Sequence, residues 1–88
     1  MKIFFERKFL KEISSLNDPK IRALLEETIL DAEKAKTTSR IKNLKKLKGF
    51  KNAYRIRIGD YRVGILIDKD TLVFVRFLHR KEVYKYFP

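Results

Sequence analysis

The stretch YRIRIGDYRVGILID, residues 54–68, predicts the central part of the fold. Apolar residues alternate with other side chains on both sides of Gly59-Asp60, which is the pattern of two strands joined by a two-residue hairpin turn. With this turn as the loop, Arg57 lies opposite Arg62. Because side chains alternate between the two faces of a sheet, these two arginines and Arg55 share one face, and the apolar residues share the other. We therefore predict an antiparallel hairpin with a core face and an arginine face.

The sequence before the hairpin predicts one strand followed by two helices. Residues 1–6 (MKIFFE) are short, apolar and aromatic, as expected for a strand. Apolar residues then recur at helical spacing over residues 8–16 and again over residues 19–35. Asp18 suits the N-cap of the second helix, and Pro19 suits its first position. We predict that the two helices form an αα-hairpin covering one face of the sheet.

The sequence between the helices and the hairpin is a basic connector. It reads KTTSRIKNLKKLKGFK over residues 36–51. Ile41, Leu44 and Leu47 have the spacing of a helical turn that packs on the core, while the lysines around them stay in water. We interpret the connector as such a turn with a solvated charged face.

After the hairpin, the sequence predicts one more strand and a short C-terminal segment. Residues 72–78 form the hydrophobic strand, which follows a turn at 68–71, and residues 81–87 are a short helix or tail. The order is β-α-α-β-β-β. We therefore predict one α+β domain over residues 1–88, with an antiparallel four-stranded sheet, an N-terminal αα-hairpin on one face, and the other face partly open.

The composition excludes several classes of protein. The chain has 88 residues and a mass of 10.6 kDa, which fit one compact domain. It contains no cysteine and one histidine, so we expect neither a disulfide framework nor a metal site, and no cofactor. No apolar run approaches the ~20 residues of a membrane span, and we expect a cytoplasmic protein. The absence of Gln, Cys and Trp beside abundant Lys and Glu is typical of a thermophile.

The positive charge is concentrated in one part of the chain. Residues 1–35 contain seven basic and seven acidic side chains, whereas residues 36–88 contain fifteen basic and four acidic ones. The whole net charge of +11 is therefore in the second part. Such an asymmetry indicates a surface that binds a polyanion. The alternative is a lysine-rich surface that only keeps a small protein soluble.

The opposed arginines indicate an anion-binding site. Like charges directly opposite each other are about 5 Å apart at Cβ and destabilise a sheet, and the two strands contain no acidic residue that neutralises them. Guanidinium groups bind phosphate through two parallel hydrogen bonds, so an external phosphate would complete the arrangement. Gly64, opposite Arg55, would leave space for a ligand. Alternatively, the arginines extend into solvent and pair with Asp60, Asp68 or Glu82.

The segment HRKEVY, residues 79–84, contains further candidates for the site. Antiparallel pairing of the strand over residues 72–78 with the second strand of the hairpin should bring the end of that strand beside Arg62. His79 is either structural or part of the site, and Tyr84 is either a core residue or a ring that stacks on an RNA base. The candidate RNA- or phosphate-binding residues outside the hairpin are Lys48, Lys51, His79 and Lys81.

Together these motifs resemble the RelE/ParE toxin superfamily. The resemblance is carried by Leu47-Lys48-Gly49, YRIRIGDYRVGILID and HRKEVY, and the β-α-α-β-β-β order, which is also the topology of that superfamily, covers essentially the whole chain. Resemblance to the RelE branch implies a type II toxin that enters the ribosomal A site and cuts mRNA there. It implies a metal-independent endoribonuclease reaction, in which the ribose 2′-OH attacks its own phosphate and leaves a 2′,3′-cyclic phosphate and a 5′-OH.

The resemblance also implies roles for individual residues and a set of partners. Arg62 would bind the scissile phosphate, Arg80 would stabilise or protonate the leaving oxygen, and Tyr84 would stack on an mRNA base. With a one-residue shift, Lys81 would take the place of Arg80. The implied partners are the ribosome, mRNA and a RelB-like antitoxin protein.

The chain departs from RelE at two positions that matter for the chemistry. RelE itself has two lysines where this chain has Arg55 and Arg57. A lysine can lose its proton in a cationic pocket, whereas an arginine effectively cannot. We therefore assign these two arginines to phosphate positioning and leave the general base open, with His79 as one candidate. Two other functions stay open: a ParE-like inhibitor of DNA gyrase, and a catalytically inactive basic RNA-binding module.

Overall fold

The computed structural model describes residues 1–88. The strands are β1 (Lys2–Phe5), β2 (Leu44–Lys46), β3 (Ala53–Ile58), β4 (Tyr61–Asp68) and β5 (Thr71–His79). The helices are α1 (Arg7–Ser14), α2 (Pro19–Lys34) and α3 (Val83–Tyr86), and a 3-10 turn covers Thr38–Arg40. The predicted hairpin, third strand, first strand and two N-terminal helices are confirmed, with small differences at their ends. None of the three α-helices has the length and hydrophobicity that a membrane-spanning helix needs.

The sheet is mixed and has the order β1-β5-β4-β3-β2. β1 runs parallel to β5, from Lys2 opposite Thr71 to Phe5 opposite Phe74, and the other neighbouring strands are antiparallel. The prediction of a four-stranded antiparallel sheet is therefore wrong. A tight turn makes two strands antiparallel, but β1 is joined to the rest of the sheet through two helices, so no turn determines its direction.

The fifth strand, β2, lies where we predicted a helical turn. Leu44 is opposite Ile56, and Lys45 is opposite Arg55. The extended conformation pairs backbone groups that β3 would otherwise leave free at the edge, and it lets Leu44 pack against the main core. The predicted helical turn is wrong because a run this short fits either periodicity.

The main core lies between the two N-terminal helices and one face of the sheet. Phe9 of α1 and Leu25 of α2 are buried in it together with Val63 of β4. α2 begins as predicted, because the Asp18 carboxylate accepts hydrogen bonds from the backbone N–H groups two and three residues later, at 2.9 and 3.3 Å, and Pro19 follows it. This packing buries one face of β3 and β4 and leaves the other face for function.

The C-terminal segment covers part of that other face. Val83 and Phe87 are buried there with Leu47 and Ala53 in a second, smaller core. The Phe87 ring lies directly on Gly64, so that a Cβ atom at this glycine would be 2.6 Å from the ring. The expectation that Gly64 leaves space for a ligand is therefore wrong, because the chain's own Phe87 fills that space.

An ion pair between Glu12 and Arg76 lies at the edge of β5, on the part of this strand that β1 does not reach. The Glu12 carboxylate on α1 accepts a hydrogen bond from Arg76 Nη2 at 2.7 Å and another from the backbone N–H of Phe77 at 2.9 Å. The hydrogen bonds that Arg76 donates to the Glu12 carboxylate are the main reason why the pKa of Arg76 is raised. Glu12 thus provides an acceptor for one backbone N–H group that a further strand would otherwise pair.

Candidate functional site

The hairpin register agrees with the prediction. Arg57 lies opposite Arg62, and Arg55 lies opposite Gly64. All the apolar residues that we assigned to the core face pack in or against the main core: Tyr54, Ile56, Ile58, Tyr61, Val63, Ile65 and Ile67. The three arginines of the arginine face therefore lie on the side of the sheet away from the two N-terminal helices.

Arg62 is at the centre of this group of cations. Its pKa is lowered, first by burial and next by the positive charge of Arg55. The Tyr84 phenol raises the same pKa, whereas Arg57 and Arg80 lower it further. Each of these four groups thus lies close enough to Arg62 to affect its charge.

Hydrogen bonds hold one side of the Arg62 guanidinium. Nη1 donates to the backbone carbonyls of Gly59 and Tyr61, each at 2.9 Å. Nε and Nη2 donate to no group of the protein. Arg62 therefore has a fixed orientation and keeps N–H groups for an external acceptor.

The arginine face lacks acidic partners. The structure contains two ion pairs, Arg76 with Glu12 and Arg80 with Asp60. Neither involves Arg55, Arg57 or Arg62, so these arginines do not pair with Asp60, Asp68 or Glu82 as the alternative interpretation expected. The repulsion across β3 and β4 is left for an external anion to relieve.

Tyr84 joins the site from α3. Arg55 Nε donates a hydrogen bond to its hydroxyl at 3.1 Å, and 63% of the Tyr84 surface is exposed. Burial of Val83 and Phe87 on either side of it fixes α3 on the sheet. The phenol is therefore held by the arginine face while the ring stays available to a ligand.

Arg80 reaches the same end of the sheet. Its backbone N–H donates to the carbonyl of Asp60 at 2.8 Å, and its Nε lies 3.7 Å from Asp60 Oδ1. The end of β5 pairs with the start of β4, with His79 opposite Tyr61. The predicted proximity of this strand end to Arg62 is thus confirmed.

The other predicted binding residues make no hydrogen bond or ion pair with the three arginines of the arginine face. His79 packs edge-on against Tyr61, with ring centroids 5.8 Å apart, and lines a recess on the α1 side. Its Nδ1 accepts a hydrogen bond from the backbone N–H of Lys81 at 3.2 Å. Lys81 is exposed in the turn after β5, and Lys48 and Lys51 are exposed in the loop between β2 and β3. The role of these residues in RNA binding stays a prediction.

Two features of the site were missing from the sequence interpretation. Lys45 is opposite Arg55, which adds a cation from β2 to the arginine face. Arg76 contacts Glu12 and also donates from Nη1 to the Tyr86 carbonyl at 3.4 Å, so it links α1 and β5 to α3. A single arginine in the apolar run of residues 72–78 was the only sequence signal for the second feature.

A family comparison matches nearly the whole chain. The model described as "ParE toxin of type II toxin-antitoxin system, parDE" matches residues 3–84. The chain is 39% identical over 89 residues to the curated protein "Toxin RelE3" of Methanocaldococcus jannaschii, with all of both chains covered.

Solved structures show the same fold. The toxin of the RelB-RelE antitoxin-toxin complex from Methanococcus jannaschii is similar with a TM-score of 0.81 and 37% identity, covering 97% of this chain and 99% of that chain. The archaeal RelE-RelB complex from Pyrococcus horikoshii OT3 is similar with a TM-score of 0.67 and 23% identity, covering 90% and 93%. At 23% identity, the similarity to the Pyrococcus horikoshii structure shows a shared fold and no more.

Proposed function

Because the chain belongs to the RelE/ParE superfamily and is a type II toxin of the RelE family, we propose that it is a metal-independent endoribonuclease that cuts mRNA in the ribosomal A site. Residues 1–88 would act as one toxin domain in the cytoplasm, where translation takes place. The observation that carries the proposal is the arginine face, where three arginines of one hairpin share a face of the sheet without a carboxylate partner.

The electrostatics of this face suit the proposed reaction. When the ribose 2′-OH attacks the adjacent phosphate, negative charge grows on the non-bridging oxygens, and preorganised cations stabilise it. Burial and the neighbouring guanidinium groups lower the pKa of Arg62. A bound phosphate would have the opposite effect, because an anion favours the charged form. The free protein therefore holds repulsion that the transition state would relieve.

The roles of individual residues follow from their placement. Arg62 would bind the scissile phosphate through the N–H groups that have no partner in the protein. Arg80, exposed beside the hairpin turn, would stabilise the negative charge on the leaving 5′-oxygen, which would take its proton from water. Tyr84 would stack on the base and align the 2′-OH with the leaving oxygen.

This chain would differ from RelE in general base catalysis. Arg55 and Arg57 keep their protons, and His79 lies on the α1 side next to Tyr61. We therefore attribute most of the proposed rate enhancement to positioning and to electrostatic stabilisation of the phosphorane. The 2′-OH proton would leave to water or to a group supplied by the ribosome.

An antitoxin protein is the proposed partner that controls this activity. The toxins of the Methanococcus jannaschii and Pyrococcus horikoshii structures are in complex with RelB antitoxins. The net charge of +11 favours an acidic partner for this chain as well. A RelB-like segment that covers the arginine face would block access of RNA, and one that displaces α3 would separate Tyr84 from Arg55. Either event would inactivate the toxin.

A ParE-like inhibitor of DNA gyrase is the second candidate, because the family model that matches is that of ParE toxins. The arginine face favours the nuclease, since a protein that only binds gyrase has no evident need for convergent guanidinium groups. Activity on gyrase would be measured as inhibition of supercoiling in vitro.

The test of the proposed function uses purified ribosomes programmed with a defined A-site codon. After incubation with the toxin, the mRNA is read by primer extension, and the same mRNA without ribosomes is the control. We expect cuts inside the A-site codon on ribosomes and none on the free mRNA. Intact mRNA together with inhibited supercoiling would instead establish the gyrase function.

A further inference from the structure

An exposed phenylalanine stands in the basic loop between β2 and β3. Phe50 is 49% exposed, and the lysines next to it in this loop, Lys48 and Lys51, are exposed as well. Burial of an aromatic ring is normally favourable, and exposed ones concentrate where a partner binds. Phe50 differs from the other exposed phenylalanines, Phe4 and Phe5 on β1, in the lysines that stand next to it in the loop.

Hydrogen bonds hold the loop in a defined shape. The backbone N–H of Leu47 donates to the Ala53 carbonyl at 2.8 Å, and that of Phe50 donates to the Leu47 carbonyl at 3.4 Å. The Ile67 N–H donates to the Asn52 carbonyl at 3.0 Å, which fixes the loop to β4. Phe50 is thus presented by a structured turn, which lowers the entropy lost when its ring binds a ligand.

The loop and α3 share one small core. Leu47, at the base of the loop, is buried with Val83 and Phe87, the residues that fix α3 and therefore Tyr84. Phe50 is five residues before Arg55, so the Cα atoms of the two are at most about 18 Å apart. Phe50 is thus connected to the arginine face through the loop that leads into β3, and Tyr84 is connected to it through its hydrogen bond with Arg55.

The charge around Phe50 is suited to a polyanion. From Lys36 to Gly59 the chain has nine basic residues and no acidic one. A cationic path with exposed rings is the arrangement by which proteins bind single-stranded nucleic acid, because cations follow the backbone while rings stack on the bases. Double-stranded RNA hides its bases and would not use the ring.

We propose that Phe50, with Lys48 and Lys51, forms a second base-stacking subsite that binds single-stranded RNA beyond the nucleotide at Tyr84. The inference rests on the proposed function, since it extends the same RNA across the edge of the arginine face. Phe50 would contact a base and the two lysines the adjacent phosphates, so the subsite would raise affinity and leave the cleaved bond unchanged.

The test measures the binding of fluorescein-labelled decaadenylate by fluorescence anisotropy. Phe50→Ala should weaken binding roughly 5- to 100-fold, as loss of one stacked base does, while Phe50→Tyr should bind like the unchanged protein. Phe4→Ala is the matched control, because Phe4 is 55% exposed on β1 at the opposite edge of the sheet. Phe4→Ala should leave the affinity for decaadenylate unchanged.

A second variant reports on stacking directly. The chain contains no tryptophan, so Phe50→Trp introduces a single indole whose fluorescence decaadenylate should quench at saturation. The proposed subsite would be overturned if decaadenylate did not quench the indole fluorescence, or if the unchanged protein did not bind RNA at low salt. It would also be overturned if Phe4→Ala lost as much RNA affinity as Phe50→Ala. A loss of antitoxin affinity in Phe50→Ala with unchanged RNA affinity would also overturn it, because Phe50 would then be a protein contact.

The ribosome assay separates this inference from the proposed function. RNA binding that depends on Phe50, without cleavage in the A site, would retain the subsite and refute the nuclease. Cleavage by the unchanged protein, with RNA affinity that does not depend on Phe50, would retain the nuclease and refute the subsite.

Discussion

Arg57 and Arg62 occupy directly opposed positions on β3 and β4, and no carboxylate pairs with either. Arg62 is anchored by two backbone carbonyls, whereas Arg57 is exposed. A pair of like charges at this spacing lowers stability. This loss of stability is explained if an anion binds between the two arginines. Removal of one charge should therefore raise stability and lower activity.

We predict that Arg57→Gln raises the free energy of unfolding by about 0.2–1 kcal/mol, because it removes one of two opposed charges and keeps a polar side chain. The measurement is urea denaturation at low salt. Lys46→Gln is the control, since Lys46 is also exposed on a strand but pairs with Tyr54 instead of a cation. A lower urea midpoint in Arg57→Gln than in the unchanged protein would contradict the prediction.

Local and long-range interactions differ in how well they can be predicted from the sequence. The Gly59-Asp60 turn determines the register of β3 and β4 by itself, which is why Arg57 could be placed opposite Arg62. By contrast, the parallel pairing of β1 with β5 depends on two helices that cross between them. The packing of Phe87 on Gly64 likewise joins residues that no local pattern relates.

The contact between Gly64 and Phe87 should be intolerant of a methyl group. We predict that Gly64→Ala destabilises the protein by about 1–3 kcal/mol, because the new Cβ would overlap the Phe87 ring unless α3 shifts. Thermal and urea denaturation measure the effect. In a Phe87→Ala background the same substitution should cost much less. Equal costs in the two backgrounds would show that the ring does not contact Gly64.

The Glu12 contact between α1 and β5 gives a further prediction. Glu12→Ala should lower the free energy of unfolding by about 2–3 kcal/mol, because Arg76 and the Phe77 N–H then lose a charged partner. Glu12→Ala combined with Arg76→Met should recover part of the loss, since no unpaired guanidinium remains. Urea denaturation of the four proteins checks this, and strictly additive effects would contradict it.

At the scale of the whole molecule, the net charge of +11 and the arginine face make stability depend on anions. An anion that binds the folded protein alone raises the melting temperature. We predict that phosphate raises it more than chloride does at equal ionic strength, and that Arg62→Ala removes most of the difference. The measurement is thermal denaturation in both buffers. An equal response to the two anions would mean that only general screening is at work.

The rate of A-site cleavage on programmed ribosomes is the measurement that decides whether the arginine face cleaves RNA. Arg62→Ala should lower that rate by at least ~100-fold, as loss of one preorganised donor to a developing oxyanion does, with little change in melting temperature. Arg40→Ala, which removes an exposed arginine from the 3-10 turn, should keep the rate within a few-fold. Cleavage by folded Arg62→Ala at the rate of the unchanged protein would contradict the account.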